Sequence, residues 1–296
     1  MIADISRLRR DFAPGQVPAQ LVAELGLLTG HRADLVADRI RLLSRLRELL
    51  TSVFPALERA FDYSRHRGAL VLLTGYQSPD ALRRRGPARL TAWLRKRDVR
   101  RADQVAQTAL AAAAAQHATL ATQAVAGQII ADLAGQLLAL DERLARIDQQ
   151  IHAAFAQHPQ ADVITSMPGI GTVLGAELVV AVGDLSVYPD AGRLAAAAGL
   201  VPVPRDSGRR TGNLHRPRRY SRRLRRVFYL SAQTSIVREG PSRDFYLKKR
   251  SQGLRHDQAI IALARRRVDV LWALLRDNRH FTATPPSTTP PPALAA

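Results

Sequence analysis

Residues 130–155 read IADLAGQLLALDERLARIDQQIHAAF, and the apolar positions Ile130, Leu133, Leu137, Leu140, Leu144, Ile147 and Ile151 step alternately by three and four. That spacing keeps one seam of a helix turned toward a partner helix. The helical signal extends back without a break to about Ala102 through an alanine-rich stretch. Farther upstream, Leu42, Leu46, Leu49 and Val53 step by four, three and four between Arg41, Arg45, Arg47 and Glu48, which predicts a second amphipathic helix from Leu21 to about Val53. The two seams fit an antiparallel hairpin within one chain, a coiled coil between two chains, or two helices of an ordinary bundle. The expected fold is mainly α: a long helical hairpin or coiled coil over residues 21–158, followed by a compact helical domain over 159–281.

Between the two seams, Pro55, Gly68, Gly75, Pro79, Gly86 and Pro87 cut residues 55–101 into short helical pieces, a small insert. Trp93 stands there in the basic run LTAWLRKRDVRR; packing of its ring on the insert is favoured over stacking on a nucleic-acid base. After His158-Pro159, glycine, proline and arginine rise together. The second domain closes with HDQAIIALARRRVDVLWALLRD, in which Ile260, Leu263, Val270 and Leu274 are expected inward and Arg265, Arg266 and Arg267 at least partly outward. The proline- and threonine-rich residues 282–296 read as a disordered tail.

The chain has 296 residues, 46% of them hydrophobic, enough for two packed domains. Its 44 Lys and Arg against 25 Asp and Glu leave a formal charge of +19, which points to a polyanionic partner, nucleic acid first. A membrane partner is not expected, because no apolar run of about 20 residues stands out. The absence of cysteine removes disulfides, thiol nucleophiles and cysteine zinc sites. The start, MIADISRLRRDF, lacks the pattern of a secretory signal, so the cytoplasm is the expected location.

Two segments carry chemistry. In MPGIGTVLGAEL, residues 167–178, Gly169 and Gly171 precede a helix whose first amides can hold a phosphate oxygen, the arrangement of a helix-hairpin-helix. A tight turn with glycine chosen for packing fits the same residues. In RDSGRRTGNLHRPRRYSRRLRR, residues 205–226, ten of 22 residues are arginine, a density that repels itself unless an anion neutralises it. Arg205, Gly208, Arg209, Arg210, Arg218, Arg219, Arg222 and Arg223 are the expected DNA contacts. Ser207 lies among them on a loop, as a turn residue, a phosphate contact or a nucleophile.

The ordered segments ITSMPGIGTVLGAEL, AGRLAAAAGLVPVPRDSG, RRYSRRLRRVFYLSA, SRDFYLKKR and the closing helix resemble the C-terminal domain of the insertion sequence 110 type transposase family, over about residues 163–280. The upstream stretches GHRADLVADRIRLLSRLRELL and FPALERAFDYSRHRGALVLLTGYQSP resemble that family's middle helical region. The resemblance implies a DNA recombinase, a serine that becomes linked to DNA, for which Ser207 stands at the matching place, and a guide RNA as second partner. A homo-oligomer is also expected. The family's resolvase-like N-terminal domain supplies four acidic residues that bind a divalent metal such as magnesium. Only a remnant of it, residues 1–20, is expected here, since Asp4, Asp11, Asp34 and Asp38 do not replace those positions. No cofactor is evident in the chain itself, and by itself it is expected to be inactive or severely impaired.

Overall fold

The computed structural model describes residues 20–116, 122–204, 206, 211–215 and 217–283. The expected remnant at 1–20 and tail at 282–296 therefore fall almost wholly outside the described residues. Contacts divide the chain into two units, residues 30–149 and residues 1–29 with 150–296. Both boundaries fall within long helices, α1 (Gln20–Val53) and α7 (Gln123–Phe155). The mainly α expectation holds: the described residues contain thirteen α-helices and one two-stranded ladder.

In residues 30–149, Arg32 pairs with Asp148 and Arg39 with Asp141, each at 2.5 Å. A seven-residue advance along α1 matches a seven-residue retreat along α7, so these helices run antiparallel within one chain. Leu46, Leu50 and Val53 of α1 share a core with Ile130, Leu133 and Leu137 of α7; Leu50 takes the buried place expected of Leu49, which with Leu42 is only partly buried. By length and composition α7 is also apolar enough to cross a membrane, which was not expected. Alanine supplies much of that hydropathy, and Ile130, Leu133 and Leu137 of its seam are buried in the protein.

Proline and glycine shape the insert as anticipated. Pro55, Pro79 and Pro87 open α2 (Pro55–Ala60), α4 (Pro79–Arg85) and α5 (Pro87–Arg95), where a missing N–H costs nothing. Gly75 ends α3 (Arg67–Gly75), and Gly86 turns the chain between α4 and α5 at φ 71°. The Trp93 ring packs on Gly75, where a Cβ would come within 2.4 Å of it, and meets Tyr76 edge to face. Tyr63 is buried; its hydroxyl donates to the Leu57 carbonyl at 2.8 Å, and burial pushes its pKa up.

The unbroken helix expected from Ala102 to Phe155 is in fact two. Helix α6 (Ala102–Ala114) ends at Ala115, and α7 begins at Gln123. Alanine propensity would carry the helix on, but Ala106, Ala109 and Ala113 are buried and α6 packs across α2, α4 and α5. Past the end of α6, Gln116 donates its side-chain amide to the Val53 carbonyl at 2.8 Å.

The other unit contains α8 (Ala161–Ser166), α9 (Thr172–Val182), α10 (Ala191–Ala197), α11 (Arg222–Ser235), α12 (Pro241–Ser251) and α13 (His256–Asp277). Helix α13 packs against α8, α10, α11 and α12, with Ile260, Leu263, Val268 and Leu271 buried alongside Phe228 and Leu224 of α11. Each such side chain contributes roughly 1.5–3 kcal/mol on burial.

Candidate nucleic-acid interface

Between α10 and α11 the chain forms β1 (Val203–Pro204) and β2 (Leu214–His215), antiparallel with Val203 opposite His215 and Pro204 opposite Leu214. This small hairpin was not anticipated; the alternating VPVP run before a glycine-bearing loop is its only trace in the sequence. The Asp206 carboxylate accepts the Asn213 amide at 3.0 Å and closes the base of the connection. Ser207, Arg205, Gly208, Arg209 and Arg210 belong to that connection but lie outside the described residues.

The arginines that follow divide into two groups. Arg218 and Arg219 are exposed before α11, and Arg222 and Arg223 stand in its first turn. The side chains of all four make no hydrogen bond or ion pair among the described residues. The first turn of α11 contains no acidic residue, so positive side chains sit at the positive end of the helix dipole, an arrangement that an anion would relieve. Ser221 caps the helix, accepting the Leu224 amide at 3.2 Å. Arg225 and Arg226, by contrast, serve the fold. Arg225 donates to the Gly199 carbonyl at 2.5 Å, and Arg226 pairs with Glu177 of α9, a carboxylate that is almost fully buried.

The MPGIG turn joins α8 to α9, and its two glycines have different surroundings. Gly169 has φ 84°, and a Cβ there would lie 2.6 Å from the Ser231 carbonyl oxygen and 3.1 Å from the Ser235 amide nitrogen of α11. Packing alone accounts for it. Gly171 is exposed, a Cβ on it meets nothing within 4 Å, and it opens α9 without a side-chain cap or an acidic residue in the first turn. The amides at that end are the ones suited to an anion.

Arg267 corrects the expectation for α13. Instead of reaching outward it is 3% exposed: its Nε donates to Ser231 Oγ at 2.9 Å, one Nη to Ser242 Oγ at 3.0 Å, and the other to the Pro168 carbonyl. Burial pulls its pKa down to about 10, so it stays charged at neutral pH. Arg265 pairs with Asp269 and Arg266 lies over the Phe245 ring, both nearer the surface. The expectation weighed charge over phase: position 267 continues the three-and-four stepping of Ile260, Leu263, Val270 and Leu274, which turns Arg267 inward.

Among the described residues no group of three or more His, Asp or Glu side chains is placed to hold a metal ion.

A family model described as "Transposase IS116/IS110/IS902 family" matches residues 161–247, and another described as "Transposase" matches residues 1–55. The chain is 62% identical over 288 residues to the insertion element IS116 uncharacterized 44.8 kDa protein of Streptomyces clavuligerus, covering 97% of this chain and 72% of that one. It is 51% identical over 290 residues to the insertion element IS900 uncharacterized 42 kDa protein of Mycobacterium paratuberculosis, covering 98% and 72%. To the insertion element IS110 uncharacterized 43.6 kDa protein of Streptomyces coelicolor it is 35% identical over 289 residues, covering 97% and 71%. The chain belongs to the IS116/IS110/IS902 family of transposases.

Proposed function

We propose that the chain binds DNA through the basic face at residues 205–226 and takes part in excision and insertion of a mobile element, with Ser207 as nucleophile. The observation that carries this reading is the set of four unpartnered arginines, Arg218, Arg219, Arg222 and Arg223, directly after a hairpin whose connection holds Ser207. Guanidinium groups bind phosphate oxygens in pairs, and the exposed start of α9 at Gly171 adds main-chain donors for the backbone. In the reaction the Ser207 oxygen bonds to phosphorus and loses its proton, while the displaced deoxyribose oxygen leaves and takes one up. The neighbouring arginines stabilise the charge that builds on the phosphate.

The experiment is a covalent trap with the chain in excess over duplex DNA carrying the element's ends. Ser207→Ala is expected to leave duplex binding within about twofold and to abolish any protein–DNA adduct that survives denaturant. An adduct that forms as readily with Ser207→Ala as with the unsubstituted chain would withdraw the nucleophile and leave a DNA-binding protein. A structured RNA that competes far better than duplex at matched salt would instead favour RNA as the main partner, since phosphate contacts alone serve both.

A further inference from the structure

The insert holds a cavity that recombination chemistry at residues 205–226 does not use. It measures about 610 Å³ and lies between residues 60–68 and residues 98–108. Gly68 fixes the approach of its two walls: a Cβ there would come within 2.7 Å of Val99, so the first turn of α3 rests on the loop that enters α6. The volume is in the range of small-ligand sites.

Charge decides what it suits. Arg65, Arg67, Arg100 and Arg101 line the cavity against two carboxylates, Asp62 and Asp98. Asp62 already accepts the amide and hydroxyl of Ser64 and stands 3.9 Å from Arg65, while Arg67 leans on Glu142 at 3.7 Å. The side chains of Arg100 and Arg101 are exposed and make no hydrogen bond or ion pair among the described residues. Two adjacent guanidinium groups without a partner repel each other and present donors in forks that match phosphate oxygens. Phe61 and His66 line the same cavity, edge to face with centroids 5.4 Å apart. Aromatic rings beside free arginines match a nucleotide strand, whose bases offer a stacking face next to each phosphate. In a duplex those faces are covered by neighbouring base pairs, so the base must be unpaired.

We propose that this cavity binds an unpaired nucleic-acid strand, with Arg100 and Arg101 on its phosphates and the Phe61–His66 pair against a base. The site is in a different unit from the basic face at residues 205–226 and stands whether or not Ser207 acts on DNA. The test measures binding of the full chain to a short fluorescent single strand and to a duplex of equal length across a salt series. The first variant combines Arg100→Ala with Arg101→Gly; Arg101 has φ 53°, so glycine there removes the charge and suits the backbone. Arg100→Gln and Phe61→Leu serve as milder variants, each checked by thermal unfolding. The double variant is expected to weaken single-strand binding about tenfold and to lower the slope of log K against log salt by about 1.4, two phosphates at about 0.7 each. Duplex binding is expected to change less than twofold, and Phe61→Leu to weaken the single strand about threefold. Unchanged single-strand binding by folded variants overturns the proposal, as does an equal loss for strand and duplex. Inorganic phosphate or tripolyphosphate that stabilises the chain through Arg100 and Arg101 as well as an oligonucleotide does, at equal phosphate, would reassign the cavity to free phosphate and also overturn it. Retained duplex binding keeps the recombinase reading separate from each of these outcomes.

Discussion

The guanidinium of Arg267, on α13, donates to the main-chain carbonyl of Pro168, 99 positions earlier, and so ties the turn before α9 to the centre of its unit. The same group holds Ser231 of α11 and Ser242 of α12, so one buried cation joins three segments through hydrogen bonds to neutral oxygens. Arg267→Gln leaves those oxygens without their donors in a dry site and is expected to destabilise the fold by about 2–4 kcal/mol. Arg267→Lys keeps the charge but cannot reach three acceptors in a planar fork, so it should recover less than half of the loss. Chemical denaturation of the two variants measures both numbers, and a loss below about 0.5 kcal/mol for Arg267→Gln would refute the tethering role.

The glycines of the turn separate packing from binding. Gly169→Ala meets the α11 backbone at 2.6 Å and takes a left-handed φ, and is expected to cost about 3 kcal/mol of stability. Gly171→Ala meets nothing and is expected to change stability by less than about 0.5 kcal/mol. If the start of α9 holds a DNA phosphate, Gly171→Asp should weaken duplex binding severalfold while the protein stays folded, because a carboxylate would occupy the anion's place. Equal binding by Gly171→Asp would leave the turn with a packing role alone.

How far the sequence anticipates this molecule depends on whether a signal is local. The apolar periodicities at Leu42–Val53 and Ile130–Ile151 and the proline starts of α2, α4 and α5 are local, and helices form there, with most but not all of the seam buried: Leu42, Leu49 and Leu144 stay partly exposed. The break at Ala115 is not local: alanine favours helix on both sides, and the reason to turn lies in α2, α4 and α5, which α6 must cover. Arginine density does not separate Arg222 and Arg223, whose side chains have no partner among the described residues, from Arg225 and Arg226, whose acceptors Gly199 and Glu177 come from other elements. Arg267 is the extreme case, since its three acceptors are 25, 36 and 99 residues away.

His158 makes the stability depend on pH. Burial lowers its pKa below 6.5, its Nδ1 accepts the Gln160 amide at 3.2 Å, and its ring stacks on Phe155. With the folded value below the unfolded one, the unfolded chain binds more protons in between, so the His158 contribution is complete above pH 6.5 and is lost as pH falls through the folded value. Thermal midpoints between pH 7.5 and 5 should fall more steeply for the natural chain than for His158→Gln, which keeps a polar side chain without titrating. Parallel curves would show that His158 does not couple folding to protons.

The paired helices α1 and α7 offer a test of register. Arg39–Asp141 is half-buried, with side chains 21% and 29% exposed, so its coupling is expected to be about 1 kcal/mol. Asp141→Arg places two cations together and should destabilise the chain, and adding Arg39→Asp should recover most of that loss. A double variant no more stable than Asp141→Arg alone would mean that the two positions do not face each other in solution.

The free arginines at the start of α11 make the sharpest prediction about DNA. Arg222 and Arg223 have no protein partner, so replacing both with alanine should leave the thermal midpoint nearly unchanged. If each neutralises one phosphate of a duplex, the slope of log K against log salt falls by about 1.8, and affinity drops for every duplex sequence alike. Arg225→Ala and Arg226→Ala provide the contrast, because their loss removes the bond to Gly199 or strands the buried Glu177 carboxylate. Those variants should lower stability before they lower affinity. Salt titrations of duplex binding for both pairs, set beside their unfolding curves, would reject the interface if the slope were the same in the Arg222 and Arg223 double variant as in the unsubstituted chain.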